Sequence, residues 1–112
     1  MRSISTHVLD ISTGRPAAGV PVVIEKKGGE GFARVGGGAT DADGRIKDLV
    51  AEGKLTEGTY RVTFDTGAYF AASGREGFYP EAAVVFIVKD AAAHYHVPLL
   101  LSPFGYSTYR GS

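Results

Sequence analysis

The side chains of this sequence with the most chemistry in them are three imidazoles, His7, His94 and His96. An imidazole titrates near neutral pH and can serve as general acid or base. Its neutral form is also a good zinc ligand. Two of the three stand in His94-Tyr95-His96, where strand periodicity puts both rings on one face together with Pro98 and Leu100. The same alternation turns Tyr95, Val97, Leu99 and Leu101 toward a core. A lone strand histidine is ordinarily a hydrogen-bonded structural residue, whereas two on one face favour a shared site. Two uses stay open. A three-histidine zinc site would keep a fourth position free, although no carboxylate stands beside the pair to orient the rings. Acid–base catalysis would need a partner for developing charge. Arg45, just after a tight turn, and Arg110, near the end of the sequence, are the guanidiniums of interest. Arg makes planar paired hydrogen bonds to an oxo-anion or a flat heterocycle, which Lys does not; surface solvation is the ordinary reading of each. Ser112 could be a nucleophile or a hydrogen-bonding group, against the plainer reading of a hydrophilic chain end. No Gly-x-Ser-x-Gly elbow is present, and the glycines at 36–38 lack the Lys-Ser/Thr of a phosphate loop.

The elements that must position these groups read as short strands. Residues 3–10 form the first, carrying His7, and Ser12-Thr13-Gly14-Arg15-Pro16 turns the chain. Residues 20–27 follow, with Val20, Val22 and Ile24 on one face, and Pro21 marks an edge or a strand start. After Gly28-Gly29-Glu30-Gly31, residues 32–35 pair back as a hairpin arm, which Gly36-Gly37-Gly38 interrupts by a bulge or bend. Thr40-Asp41-Ala42-Asp43-Gly44 is a turn that delivers Arg45 and Ile46 to a short strand. Its Asp-x-Asp-Gly string fails as a calcium loop, because Gly44 is fourth rather than sixth, and Glu52 reaches twelfth place only with Arg45 at a ligand position. Residues 59–65 alternate most cleanly, with Tyr60, Val62 and Phe64 inward. Thr66 caps a short helix over 68–73 that Gly74 ends. Residues 83–89 are nearly all apolar, as in a strand buried on both faces. Residues 90–93 make a hairpin into the histidine strand. After the Ser102-Pro103-Phe104-Gly105 turn, Tyr-Ser-Thr-Tyr-Arg-Gly-Ser reads as docked rather than frayed. About eight strands and one helix predict an antiparallel β-sandwich.

Composition narrows the function classes. Lys+Arg and Asp+Glu balance at 12 each, so no net field draws the protein to nucleic acid or an anionic membrane. Hydrophobic residues at 44% and charged residues at 21% suit a globular domain that needs no membrane span. The absence of cysteine removes disulfides, thiol nucleophiles and Cys-based metal sites. The first residues enter a strand-like segment without the apolar stretch of a signal peptide, which makes the cytoplasm the expected location. The 112 residues are expected to form one domain, small enough to gain from association.

Five segments carry a family resemblance: Ser5-Thr6-His7-Val8-Leu9-Asp10 with Gly14-Arg15-Pro16-Ala17; Asp43-Gly44-Arg45; Phe78-Tyr79-Pro80-Glu81; His94-Tyr95-His96-Val97-Pro98-Leu99-Leu100-Leu101-Ser102-Pro103; and Tyr109-Arg110-Gly111-Ser112. Together they strongly resemble the 5-hydroxyisourate hydrolases, the transthyretin-related enzymes of purine breakdown, from Ser5 to the last residue. The resemblance implies a prealbumin-like sandwich of two four-stranded sheets with one short helix. It implies homotetramers built as dimers of dimers, with sites in clefts between dimers, and no cofactor or metal. The implied reaction is hydrolytic opening of the six-membered ring of 5-hydroxyisourate to 2-oxo-4-hydroxy-4-carboxy-5-ureidoimidazoline. The catalytic set then falls on His7, Arg45, His96 and Ser112, with Tyr109, Arg110 and Gly111 completing the substrate-binding terminal motif. Either His7 or His96 would be the base, and His94 is a weaker candidate than His96. A transthyretin-type binder of a small aromatic hormone, without catalysis, is the alternative.

Overall fold

A computed structural model describes residues 3–51 and 53–112. Nine strands and one helix are found among them: β1 (Ile4–Asp10), β2 (Arg15–Pro16), β3 (Pro21–Gly28), β4 (Gly31–Ala39), β5 (Arg45–Ile46), β6 (Gly58–Phe64), α1 (Thr66–Ala72), β7 (Ala82–Val88), β8 (Tyr95–Ser102) and β9 (Gly105–Thr108). One sheet has the order β2-β1-β8-β9, with the two-residue β5 also on β1; the other runs β4-β3-β6-β7. Their inner faces share one core. Ile4, Val8, Leu99 and Leu101 come from the first sheet and Val22, Ile24, Tyr60, Val62 and Phe64 from the second, all essentially inaccessible to water. These are the positions that alternation turned inward, and each such side chain contributes about 1.5–3 kcal/mol of burial. The expected sandwich is therefore present, with β5 added to one of its four-stranded sheets.

Pairing is antiparallel throughout except between β1 and β8, which lie parallel from Ile4↔Tyr95 to Asp10↔Leu101. That register sets Ser5 beside His96 and His7 beside Pro98 on the outer face. It is the pairing that makes a site from the two ends of the sequence.

Several local expectations need correction. The glycines at 36–38 do not interrupt β4, which runs through them. The register shift lies where Ile24 faces Gly36 and Glu25 faces Arg34, so Val35 is the extra residue. Gly36 is required for another reason: a Cβ there would lie 1.8 Å from the Leu49 carbonyl oxygen. The helix starts earlier than expected, and its cap is Asp65, whose carboxylate accepts from the Ala68 N–H. Thr66 is buried and donates its hydroxyl proton to the Tyr79 carbonyl. Strand β7 is not buried on both faces. It is an edge strand with only β6 beside it, and Val85 and Ile87 are 58% and 60% exposed because no layer covers their side of the sheet. Residues 90–93 are not a hairpin either, since β7 and β8 belong to different sheets. The crossing is fixed by Tyr95, whose hydroxyl accepts from the N–H groups of Lys89 and Asp90. Glu52, considered above as a calcium ligand, lies outside the described residues.

The helix is tied to the histidine-bearing sheet through one carboxylate. Asp10, at the end of β1, has no exposed surface. It accepts from Ser12, from the Tyr69 hydroxyl at 2.8 Å and from Arg75 at 2.7 Å. Burial alone would raise its pKa, but the hydrogen bonds from Ser12, Arg75 and Tyr69, with the Arg75 charge, outweigh burial and hold it at about 2.

Candidate active site

The turn before Arg45 is closed by Asp41, whose side chain accepts the N–H groups of Asp43 and Arg45. The hydrogen bond from Arg45 and, after an opposing contribution from burial, that from Asp43 keep the Asp41 carboxylate below its ordinary range. Gly44 has φ +73°, and a Cβ on it would sit 2.5 Å from the Val8 carbonyl oxygen. Only glycine both takes that conformation and lets the turn lie against β1, where the Val8 N–H donates to the Gly44 carbonyl. Strand β5 is thereby locked onto β1, with Arg45 opposite His7 and Ile46 opposite Thr6.

A third segment folds back onto the same face. After β9 the chain returns to β8, and the Gly111 N–H donates to the His96 carbonyl at 2.8 Å. A Cβ on Gly111 would lie 2.5 Å from His96 Cδ2, so the tail packs against one edge of that imidazole. The docking expected from the sequence is observed.

These segments enclose an open cleft of about 460 Å³ lined by Ser5, Thr6, Arg45, Ile46, Lys47, His94, His96 and Ser112. Of the residues singled out in the sequence, Arg45, His94, His96 and Ser112 line it together. His7 does not line the cleft but is close enough for its charge to act on His96. Tyr109 is exposed, and the Arg110 guanidinium lies 4.8 Å from the centre of the Tyr95 ring. Neither reaches the cleft, and Gly111 contributes its backbone. Ser5 and Lys47 were not legible as site residues. Both sit two positions from a recognised one, on the same face of a strand or its continuation, but only the β1–β8 register shows that Ser5 meets the histidines.

The central imidazole is held at both sides. Ser5 Oγ is 2.7 Å from His96 Nδ1 and 2.9 Å from His94 Nε2. Burial, then the positive charges of His7, Arg45 and His94, push the His96 pKa below its ordinary value, opposed in part by the Ser5 backbone carbonyl. His96 is therefore neutral at pH 7 and able to accept a proton. Among the described residues no group of three or more His, Cys, Asp or Glu is arranged to hold a metal ion. The three-histidine zinc arrangement is therefore not found among the described residues. A neutral imidazole, a guanidinium, an ammonium and hydroxyls around one shallow cleft can activate water and stabilise an oxyanion.

Residues 4–111 match the HIUase/Transthyretin family, and the chain belongs to that family. A 5-hydroxyisourate hydrolase of Salmonella typhimurium is 51% identical over 109 residues, covering 97% of this chain and 80% of the relative. The 5-hydroxyisourate hydrolase of Klebsiella pneumoniae superposes with a TM-score of 0.87 at 44% identity, over 98% of this chain and 99% of that one. Sea bream transthyretin in complex with thyroxine superposes with a TM-score of 0.90 at 37% identity, over 96% and 93%. Within the family this chain falls with the enzymes, and it is a hydrolase.

Proposed function

We propose that this hydrolase opens the six-membered ring of 5-hydroxyisourate in urate breakdown, giving 2-oxo-4-hydroxy-4-carboxy-5-ureidoimidazoline without a cofactor. The observation that carries the reading is a neutral His96 beside Arg45 and Ser112 in one cleft, in a chain so similar to 5-hydroxyisourate hydrolases. His96, one of the two imidazoles that line the cleft and the one whose pKa is lowered, takes a proton from water as it attacks the ring carbonyl. Arg45 holds the flat substrate and the oxyanion that forms, a stabilisation commonly worth several kcal/mol. The ring C–N bond then breaks, and the proton passes to the leaving nitrogen. Ser112 positions water or substrate, His7 adds positive potential, and Tyr109, Arg110 and Gly111 keep the tail in place. A cytoplasmic homotetramer, a dimer of dimers of one-domain chains, is part of the proposal. It is supported by the uncovered β7 face and by the exposed Phe104 and Tyr106 on and beside β9. No helix among the described residues is long and apolar enough to cross a membrane.

The test is to generate 5-hydroxyisourate in situ from urate with urate oxidase and follow its ultraviolet decay. Accelerated decay that a chelator leaves unchanged, and that His96→Asn slows by about 10²-fold or more, is the expected outcome. No acceleration would overturn the reading and favour a binding protein, the alternative that the likeness to thyroxine-bound transthyretin keeps in view. Acceleration abolished by chelator would return the histidines to a metal.

A further inference from the structure

The Ser5 hydroxyl stands between two imidazole nitrogens, 2.7 Å from His96 Nδ1 and 2.9 Å from His94 Nε2. It has one proton. Both short contacts are hydrogen bonds that also use the Oγ proton only if Oγ donates to one ring and accepts from the other. In the first arrangement His96 Nδ1–H donates to Oγ and Oγ–H donates to a bare His94 Nε2. His96 Nε2 is then bare. In the second His94 Nε2–H donates to Oγ, Oγ–H donates to His96 Nδ1, and His96 Nε2 carries the proton. A state with both nitrogens protonated would use both lone pairs of Oγ and leave its proton without a partner among the described residues.

The rest of the ring's environment decides what each arrangement can do. Nδ1 of His96 is engaged by Ser5, and Cδ2 is packed against Gly111, which leaves the Nε2–Cε1 edge for the cleft. The charged groups around the pair are His7 from β1, Arg45 from β5 and Lys47 just after it, while Arg110 from the tail is stacked on Tyr95. A cleft carrying Arg45 and Lys47 favours a bare, electron-rich Nε2 over an N–H there. His94 is exposed to solvent, and with His94 protonated only the second arrangement keeps the Oγ proton paired within the protein.

We propose that Ser5 is a positioning residue that couples the two histidines, so that His96 presents a bare Nε2 while His94 is neutral and loses it when His94 is protonated. The hydroxyl turns over as His94 gains its proton, and one proton shifts from Nδ1 to Nε2 on His96 with no net change in its charge. His94 is then a switch on the base rather than a participant in the reaction. The catalytic consequence rests on the hydrolase reading; the coupling itself does not.

The coupling is measured on histidine-labelled ¹⁵N protein by proton–nitrogen correlation through the imidazole rings, from neutral pH downward. In the wild type His96 is expected with Nδ1 protonated and Nε2 bare, and to exchange that pattern at the midpoint at which His94 titrates. Ser5→Ala should abolish the exchange, so that the two rings titrate independently, and Ser5→Thr should restore it. A wild-type His96 that keeps one tautomer through the His94 transition overturns the proposal, as does a Ser5→Ala spectrum in which the exchange persists. Should Ser5→Ala not fold, His94→Phe gives the same decision, because His96 must then hold one tautomer over that pH range. In turnover, Ser5→Ala should lower kcat by up to about tenfold, the equivalent of one hydrogen bond, at unchanged KM. It should also remove the part of the acid limb that follows His94. An absence of turnover in the wild type would defeat the hydrolase reading and leave the nitrogen spectra to decide the coupling.

Discussion

Gly111→Ala isolates the contribution of the returning tail, because a single methyl group is added at the point where the tail touches the base. The new Cβ would lie 2.5 Å from His96 Cδ2, 3.2 Å from Cγ and 3.3 Å from Cβ, whereas carbon atoms pack at about 3.5–4.0 Å. Roughly 1 Å of separation must be found. The His96 ring sits on a paired strand with Nδ1 held by Ser5. The tail is held at this point by one hydrogen bond, from Gly111 N–H to the His96 carbonyl, worth about 1 kcal/mol. The tail yields, and Ser112 is carried out of the cleft with it. A displacement of that size at a reacting centre costs on the order of 10²-fold, about 2.7 kcal/mol of barrier. Global stability changes little, since the core is not touched, and Tm should move by no more than about 5 °C. The assay is kcat/KM from the decay of 5-hydroxyisourate, beside a thermal melt. Combining the substitution with deletion of Ser112 should cost no more than the deletion alone, because both remove the same group. Activity within about threefold of wild type would refute the reasoning, as an ordinary surface change would do no more.

Arg45→Lys keeps the charge but loses the planar fork, and kcat should fall by about 10²-fold or more if the guanidinium holds the oxyanion; retained activity would show that a cation at this position suffices without the fork. The lowered pKa of His96 keeps its neutral form present on the acid side of a free imidazole. The acid limb of kcat/KM that is due to His96 should therefore lie below pH 6.5, and His7→Gln should move it upward by removing one of the repelling charges. Asp10→Asn removes the charge that Arg75 and Tyr69 address. With a folded pKa of about 2 against 3.8, the carboxylate contributes about 2.4 kcal/mol at neutral pH. That contribution is fully present above the unfolded value and fades as pH falls through the folded one. A melt at pH 7 should drop by roughly 10 °C, with the difference from wild type vanishing near pH 2.

Much of the fold was legible because alternation is local. The inward sets Val22 and Ile24, Tyr60, Val62 and Phe64, and Tyr95, Val97, Leu99 and Leu101 are all buried. What failed depended on neighbours that a sequence does not name. An apolar run such as residues 83–89 has the same composition whether it is central or at an uncovered edge. The chain between β7 and β8 is as short as a hairpin, yet it changes sheets. The helix cap was misplaced by one residue because Asp65 and Thr66 are both good caps, and burial of Thr66 decided between them. At the site, the motifs pointed to Arg45, His96 and Ser112, which the fold brings together. Ser5 was hidden, since a serine in a strand has no signature until a parallel partner 91 positions away places an imidazole beside it.

The parallel pairing of β1 with β8 also bears on the order in which this protein assembles. Every contact along it spans about four-fifths of the sequence, so the entropy of closing that loop must be met before any of the pairing is gained. The sheet β4-β3-β6-β7 needs only nearer neighbours, and on topological grounds it forms first. During synthesis β1 must wait, with one edge open and Ile4 and Val8 unsheltered, until residues 95–102 have left the ribosome. That interval is where chaperone capture or strand-to-strand aggregation would act. Truncations or permutations that separate the two strands would be expected to lose yield before they lose any measurable chemistry.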